Sequence, residues 1–220
     1  MQTMETTEKQ AVLRISPEEY FRIEERVEVG LEYADGRVIP KEGSEPLPDW
    51  VVRQLLKPDF DEGILNFEFP VATNNHGIIS GNLHTVLSVR LAEQPFRIYS
   101  QSPNVYISLT GRYRVPDVTI APEREAQVLI RESLVNPVAI FEVLSDSTAP
   151  KDYTEKLEEY LHIESLQEYF LVAQDEAKIT RYRRLDAEGW EYRVFREGNL
   201  PITSVKNDLS FASIYKDALF

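Results

Sequence analysis

Glu142 is an acid inside a strongly apolar run, which makes it the first candidate for chemistry in this chain. The run Val138–Leu144 is otherwise apolar, a pattern typical of a strand that is covered on both faces. A carboxylate buried there costs several kcal/mol unless it is paired, hydrogen-bonded or bound to a cation. Glu142 is therefore a candidate metal ligand or catalytic acid, and the alternative is a structural ion pair with an arginine.

Asp117 is the second candidate. It follows Pro116, and proline confines this segment to the start of a strand or to an edge. Taken alone, Asp117 could be a turn aspartate that bonds its own backbone. Because Glu142 belongs to the next strand, the two acids can lie at the same level of neighbouring strands and share one cation. We therefore predict a divalent-metal site at Asp117 and Glu142.

Glu32 and Lys156 are weaker candidates. Glu32 lies on the first arm of a predicted hairpin, where a glutamate is usually just solvated. Lys156 lies on the helix predicted after Glu142, four residues beyond Asp152. That spacing fits an ion pair on a helix surface as well as it fits a catalytic lysine.

Other catalytic templates fit the sequence poorly. The chain has no cysteine, and its three histidines, at positions 76, 84 and 162, lack the spacing of a zinc site. It also lacks the glycine-rich phosphate loops and the GxSxG turn around a nucleophilic serine. His76 falls at a predicted helix N-terminus, where it is a helix cap, a core residue or a group that approaches a phosphate.

The elements that must position these residues can be predicted from local patterns. Ser16-Pro17-Glu18-Glu19 indicates a helix start, and Asp35-Gly36 indicates the two-residue turn of a hairpin. Apolar residues at helical spacing predict a helix from Asn74 to Leu91, and Asp152–His162 is predicted to be another. Strands are predicted at Arg97–Ser100, Asn104–Ser108, Val115–Ala121, Val138–Leu144, Tyr169–Val172, Lys178–Arg184 and Trp190–Phe195.

Length and composition favour one domain. The chain has 220 residues, 42% of them apolar, which is enough for one sizeable core. We expect residues 1–14 to be a flexible polar leader and residues 15–220 to be a single domain. Residues 41–70 carry four prolines and are a candidate insertion or lid, with a helix at Asp49–Lys57 and a strand at Ile64–Phe69.

Charge and hydropathy limit the partners and the compartment. The net charge is −13, from 37 acidic and 24 basic residues, which disfavours nonspecific DNA binding through phosphate contacts alone. The polar N-terminus lacks the apolar segment of a signal peptide, and no apolar run is long enough to span a bilayer. We therefore expect a soluble, cytoplasmic protein with no membrane partner.

The order of these motifs resembles the PD-(D/E)XK nuclease superfamily. It is more closely similar to the Uma-type "putative restriction endonuclease" family, and the likeness runs from about Ser16 to Arg196. The stretches that carry it are Leu31–Val38 with Glu32, Arg114–Val118 with Pro116-Asp117, Phe141–Ser145 with Glu142, Ser147-Thr148, Asp152–Tyr160 with Lys156, and Glu168–Val172. A histidine before the middle helix, His76, also matches.

The resemblance implies a restriction-endonuclease-like α/β (α+β) fold, in which a central mixed β-sheet is flanked by helices. It implies that Asp117 and Glu142 hold Mg²⁺, with Mn²⁺ as a substitute and the backbone carbonyl of Val143 as a third ligand. Glu32 would reach the metal directly or through water. The implied activity is hydrolysis of DNA phosphodiester bonds by a metal-activated water, and a homodimer suits cleavage of both strands.

One position departs from the superfamily pattern. That pattern has a lysine two residues after the second acid, where this chain has Leu144. The Uma-type family resembles this chain in lacking that lysine, and Lys156 on the next helix is the implied replacement. It would orient the water or stabilise the transition state.

Two alternatives remain open at this stage. The first is a nuclease-fold protein that no longer cuts and serves as a binding or assembly module, which fits the acidic charge and Leu144. The second is a structural protein whose buried acids pair with arginines such as Arg112 or Arg114. For a metal-free acid cluster, mutual repulsion predicts that the pKa values of both Asp117 and Glu142 are raised.

Overall fold

The structure, a computed structural model, describes residues 12–123, 128–129, 133–187 and 189–220, so most of the predicted leader lies outside the described residues. The helices are α1 (Pro17–Glu24), α2 (Asp49–Leu55), α3 (Asn74–Arg90), α4 (Ala149–Asp152), α5 (Glu155–Leu161) and α6 (Phe211–Ile214). The strands are β1 (Leu31–Ala34), β2 (Arg37–Pro40), β3 (Phe96–Tyr99), β4 (Val105–Ile107), β5 (Arg112–Arg114), β6 (Val118–Pro122), β7 (Val128–Leu129), β8 (Ser133–Leu134), β9 (Ala139–Leu144), β10 (Glu168–Ala173), β11 (Ile179–Arg184), β12 (Trp190–Phe195), β13 (Asn199–Ile202) and β14 (Asn207–Ser210).

The predicted helix start and hairpin are confirmed. Ser16 accepts a hydrogen bond from the backbone of Glu19, whose side chain accepts from the backbone of Ser16, so α1 opens with a capping box. Asp35 and Gly36 have φ values of 52° and 79°, and Ala34 pairs with Arg37 on either side of them. Positive φ at both central residues is what a tight hairpin turn requires, and glycine adopts it without strain.

One six-stranded sheet, in the order β2-β1-β5-β4-β8-β7, carries the hairpin. Tyr20 and Phe21 of α1 and Val51 of α2 pack with its apolar side chains in one core cluster. In this sheet Tyr33 of β1 pairs with Tyr113 of β5, which brings the hairpin next to the segment leading to Asp117.

The second six-stranded sheet, in the order β12-β11-β10-β9-β6-β3, carries the two central acids. Its β9 and β10 are parallel and its other neighbours are antiparallel, so the predicted mixed sheet is confirmed. Ile79 of α3 packs with Phe141 on one face, and Tyr160 of α5 packs with Ile140 on the other. Strand β9 is therefore covered on both faces, as its apolar run predicted.

Two predicted elements differ from the structure. The helix predicted at Asp152–His162 is two short helices, α4 and α5, with Tyr153 and Thr154 between them. The strand predicted at Ile64–Phe69 is absent, because a 3-10 turn over Glu62–Ile64 is followed by irregular chain. Its aromatic residues pack on one another and on Trp50 of α2, and they do not join a sheet edge.

The C-terminal segment packs on the rest of the domain, and its backbone groups form hydrogen bonds with side chains of α3. Leu219 donates its backbone N–H to Asn75 at 3.0 Å, and Asn82 donates to the carbonyls of Ile214 and Lys216. Among the described residues, every helix is too short or too polar to cross a bilayer.

Candidate metal centre

The strand register places Asp117 beside Glu142. Val118 of β6 pairs with Phe141 of β9 in an antiparallel register. Asp117 precedes Val118 and Glu142 follows Phe141, so these two acids lie side by side. Both carboxylates are buried, with 0% and 1% exposure. The structure thus brings together the two acids that the sequence singled out, on the face of the sheet that α5 covers.

Asp117 is surrounded by hydrogen-bond donors. The ammonium of Lys41 lies 2.6 Å from Oδ1, and the backbone N–H of Val143 donates to Oδ2 at 2.7 Å. His76 places Nε2 3.2 Å from the same Oδ2. Burial raises the pKa of Asp117, but Lys41 and His76 lower it by more, so the pKa lies well below its usual range. The prediction of a raised pKa is therefore wrong for Asp117, because two basic side chains outweigh the neighbouring acid.

The negative charge of Glu142 is less well compensated than that of Asp117. Its Oε1 accepts hydrogen bonds from Lys156 at 3.1 Å and from the hydroxyl of Tyr160 at 3.0 Å, while Lys41 stays 4.0 Å from Oε2. Burial raises the pKa of Glu142 to about 7, against the lowering effect of Lys156 and Lys41. The nearby carboxylates of Asp152 and Asp117 contribute to this rise. The predicted rise is confirmed here, and Glu142 is the acid of this pair that titrates near neutral pH.

Glu32 is buried rather than solvated. Its partners are Arg114 at 3.0 Å, Lys151 at 2.6 Å and Lys156 at 2.9 Å. Burial raises the pKa of Glu32, and Lys156, Lys151 and Arg114 lower it by more, so it falls well below the usual value. Of the two arginines considered as structural partners, Arg114 pairs with Glu32, while both contact Glu155 and Glu159 of α5.

Lys156 links the acids of the two sheets. Its ammonium lies 2.9 Å from Glu32, 3.1 Å from Glu142 and 3.1 Å from Asp152. The ion pair with Asp152 exists, but it is buried, so it is not the solvated helix-surface pair of the alternative interpretation. Burial lowers the pKa of Lys156, and the three carboxylates raise it well above the usual value. Lys156 is therefore a fixed positive charge at neutral pH.

The structure adds three residues to the predicted pair of acids, and of these only His76 was singled out from the sequence. Lys41 and Glu42 follow the hairpin, at the start of the candidate insertion, and His76 lies in the first turn of α3. Lys41 is 6% exposed and its backbone N–H bonds the carbonyl of Gly30, which continues the hairpin pairing by one step. A lysine at a position that extends a buried strand is the one local signal that could have identified it.

The donor set fits a divalent cation. Asp117, His76 and Glu42 each offer a ligand atom within 4.8 Å of the others, and Glu142 stands beside Asp117. Carboxylate oxygen and imidazole nitrogen are both metal ligands in proteins. The ammonium of Lys41 already places a positive charge against Asp117, so a metal ion there would share this carboxylate with Lys41 or displace it.

Comparisons with known proteins agree with this architecture. The sequence model of the Uma2 family, described as "Putative restriction endonuclease", matches residues 54–211, a range that holds Asp117, Glu142 and Lys156. A crystal structure titled as "a putative nuclease belonging to DUF820" from Anabaena variabilis ATCC 29413 superposes with a TM-score of 0.59. It is 17% identical and the match covers 88% of this chain and 93% of that chain, which shows a shared fold.

Two relatives come from Synechocystis sp. (strain PCC 6803), and both are uncharacterized proteins. The protein sll1609 is 30% identical over 120 residues, which are 54% of this chain and 68% of the relative. The protein slr1290 is 26% identical over 182 residues, which are 82% of this chain and 95% of the relative. With the family match over residues 54–211 and the paired acids on its mixed sheet, this chain belongs to the Uma2 family.

Proposed function

We propose that this chain is a metal-dependent endonuclease that hydrolyses phosphodiester bonds of DNA. The observation that carries the proposal is the pair of buried carboxylates, Asp117 and Glu142, on neighbouring strands with the ammonium of Lys156 3.1 Å from the second acid. A structural role alone does not call for two buried acids side by side, since burying an ion is costly. A site for a cation and a phosphate accounts for both.

In this proposal Asp117, Glu142 and the backbone carbonyl of Val143 hold Mg²⁺. The hydrogen bond from the N–H of Val143 to Asp117 fixes the side chain of Asp117 relative to that residue. When bound, the metal ion would lower the pKa of a water molecule and offset negative charge on the phosphate. Glu32 is linked to Glu142 through Lys156, and it would reach the metal through water.

Lys156 and Tyr160 position the second acid. Both hydrogen bonds end on Oε1 of Glu142, while Oε2 has the ammonium of Lys41 4.0 Å away. Because Lys156 is held by three carboxylates, it remains protonated and would serve as a positive charge that stabilises the phosphate in the transition state. It would not act as a general base.

The substrate and the assembly are part of the same proposal. The family description supports a nucleic-acid substrate, and we propose DNA. Since the chain carries a net charge of −13, the bound metal would supply part of the attraction for phosphate. Cleavage of both strands would be served by a homodimer with two-fold symmetry, which sedimentation in the presence of DNA can test.

The test is a cleavage assay with supercoiled and single-stranded DNA, in Mg²⁺ and in Mn²⁺ at low salt. Asp117→Asn and Glu142→Gln remove one charge each and keep the side-chain shape. The exposed residues Asp59 and Glu62 allow matched controls, Asp59→Asn and Glu62→Gln. We expect metal-dependent cutting by the wild type and both controls, and none by the two site variants. Cutting that the site variants retain would refute the proposal.

A second candidate function is a nuclease-fold binding module that does not cut. The observation in its favour is Lys41, whose ammonium occupies Oδ1 of Asp117 at 2.6 Å and competes with a metal. Metal titration by calorimetry separates the two functions. Binding of Mg²⁺ or Mn²⁺ that Asp117→Asn abolishes supports the endonuclease, and no binding by the folded protein supports the module.

A further inference from the structure

His76 and Glu42 lie beside Asp117 in a position that the proposed endonuclease does not use. The Nε2 atom of His76 is 3.2 Å from Oδ2 of Asp117 and 3.9 Å from Oε2 of Glu42. Two ligands that each lie about 2.1 Å from one ion are at most about 4.2 Å apart. Both distances are within that limit, and the ligand atoms of all three side chains lie within 4.8 Å of one another, so a small shift of the Glu42 side chain lets all three contact a common ion.

The orientation of His76 is defined by this cluster. The imidazole is 2% exposed, and its other ring nitrogen, Nδ1, has no hydrogen-bonding partner among the residues that the structure describes. A buried histidine kept only for packing would be expected to satisfy both nitrogens. Here only Nε2 is used, and it is directed at the two acids.

The local fold delivers each ligand from a different element. Thr73 caps α3 by accepting the backbone N–H of His76, which fixes that residue in the first helical turn. Glu42 follows Lys41 at the end of the hairpin and is half-buried, so it forms the more exposed wall of the cluster. Lys41 lies 3.7 Å from Glu42, so one ammonium contacts both acids of the set.

We propose that His76 and Glu42 are metal ligands together with Asp117, and that this centre selects a first-row transition ion such as Mn²⁺ over Mg²⁺. Mg²⁺ prefers oxygen ligands and water, whereas imidazole favours the first-row transition ions. Mn²⁺ accepts both kinds of ligand. The inference rests on the proposed function in that it concerns the same centre, and it reverses the metal preference that the family resemblance implies.

The first measurement needs no variant and no DNA. Pulsed electron paramagnetic resonance of the Mn²⁺ complex of the wild-type protein detects coupling to a directly bound nitrogen nucleus. We expect nitrogen coupling, and we expect calorimetry to show Mn²⁺ binding at least about tenfold more tightly than Mg²⁺. A bound Mn²⁺ without nitrogen coupling, or equal affinities for the two ions, would overturn the proposal.

The second measurement assigns the ligands. His76→Gln should abolish the nitrogen coupling and weaken Mn²⁺ binding about tenfold or more, and Glu42→Gln should weaken it by a similar factor. The matched controls are His84→Gln, on the same helix, and Glu45→Gln, on the exposed chain just beyond Glu42. Nitrogen coupling that persists in His76→Gln, or that disappears in His84→Gln, would contradict the assignment to His76. Circular dichroism confirms that each variant is folded.

The outcomes separate this inference from the proposed function. Nitrogen-bound Mn²⁺ in a protein that cuts no DNA would contradict the endonuclease proposal and support the metal centre of His76, Glu42 and Asp117. DNA cleavage in Mn²⁺ that is lost in Asp117→Asn and unaffected in His76→Gln would support the endonuclease and contradict His76 as a metal ligand.

Discussion

The ammonium of Lys41 lies 2.6 Å from Oδ1 of Asp117 and 4.0 Å from Oε2 of Glu142, between the two acids that the proposed function assigns to a metal. Lys41 and Asp117 are separated by 76 residues, and both are buried. Burial lowers the pKa of Lys41. The carboxylates of Asp117 and Glu142 raise it by more, so the pKa lies above its usual value and the side chain is charged. Lys41 thus offsets part of the negative charge of the two acids.

Replacing Lys41 tests this competition. Lys41→Met should tighten Mn²⁺ binding about tenfold or more, because the metal no longer displaces an ammonium. The same change leaves a buried carboxylate with less compensation, so it should lower the free energy of unfolding of the metal-free protein by about 3 kcal/mol. Calorimetry and denaturant unfolding measure the two effects. The exposed Lys57 offers the control Lys57→Met, and loss of metal binding in a folded Lys41→Met protein would show that Lys41 assists the metal.

Metal binding should depend on pH through Glu142. Its pKa is raised to about 7, so protons compete with the metal below that pH and cease to compete above it. We therefore expect the affinity to fall about tenfold for each pH unit below 7 from this group alone. Asp117 has a lowered pKa and stays ionised throughout this range, so it adds nothing.

Proton release gives a direct measurement of the same effect. The pKa of His76 is lowered by burial and raised by more through its hydrogen bond to Asp117, so its imidazole also carries a proton at pH 6. Calorimetry in two buffers of different ionisation enthalpy should show about two protons released on Mn²⁺ binding near pH 6. Glu142→Gln should release about one, and an unchanged count in that variant would contradict the assigned titration.

Glu32 should make the fold sensitive to acid. Its pKa in the folded protein is well below the value of an exposed glutamate, because Lys156, Lys151 and Arg114 outweigh burial. Its contribution to stability is therefore complete above the unfolded pKa of about 4.3 and is lost as the pH falls through the folded pKa. Glu32→Gln should lower the free energy of unfolding by about 3 kcal/mol at pH 7, and the difference from wild type should shrink on acidification. Urea unfolding over a pH series measures it, and a constant difference would be the contrary result.

Lys156 should contribute to turnover through its charge. Lys156→Met should reduce the cleavage rate by about 10²–10³ at saturating metal, since one preorganised positive group is lost. Saturating metal is used because loss of Lys156 also raises the pKa of Glu142 and so changes the metal affinity. Lys156→Met also removes the positive charge that pairs with three buried carboxylates, which should lower the free energy of unfolding. The unfolding curve is therefore measured together with the rate. A folded variant with a wild-type rate would leave Lys156 with a structural role only.

The sequence by itself determined the local elements and the two central acids. The capping box at Ser16 and the Asp35-Gly36 turn depend on neighbours along the chain, and the structure reproduces them. Glu142 was identified because a charge in a doubly covered strand needs a partner within reach. Even so, the helix after Glu142 was predicted in one piece, because the break at Tyr153 and Thr154 has no local signature such as glycine or proline.

Only the tertiary structure decided which groups neutralise those acids. Lys41 reaches Asp117 because the end of β2 in the first sheet lies next to the start of β6 in the second sheet. His76 reaches Asp117 because α3 begins at the same place. The same packing buries Glu32 among three cations, although a glutamate beside a hairpin turn is ordinarily solvated. Contacts between residues so far apart in the chain depend on how sheets and helices pack, and apolar periodicity shows which face is buried without showing what it packs against. The identities of the acids were therefore local information, while their charge states and their ion-pair partners were set by the fold.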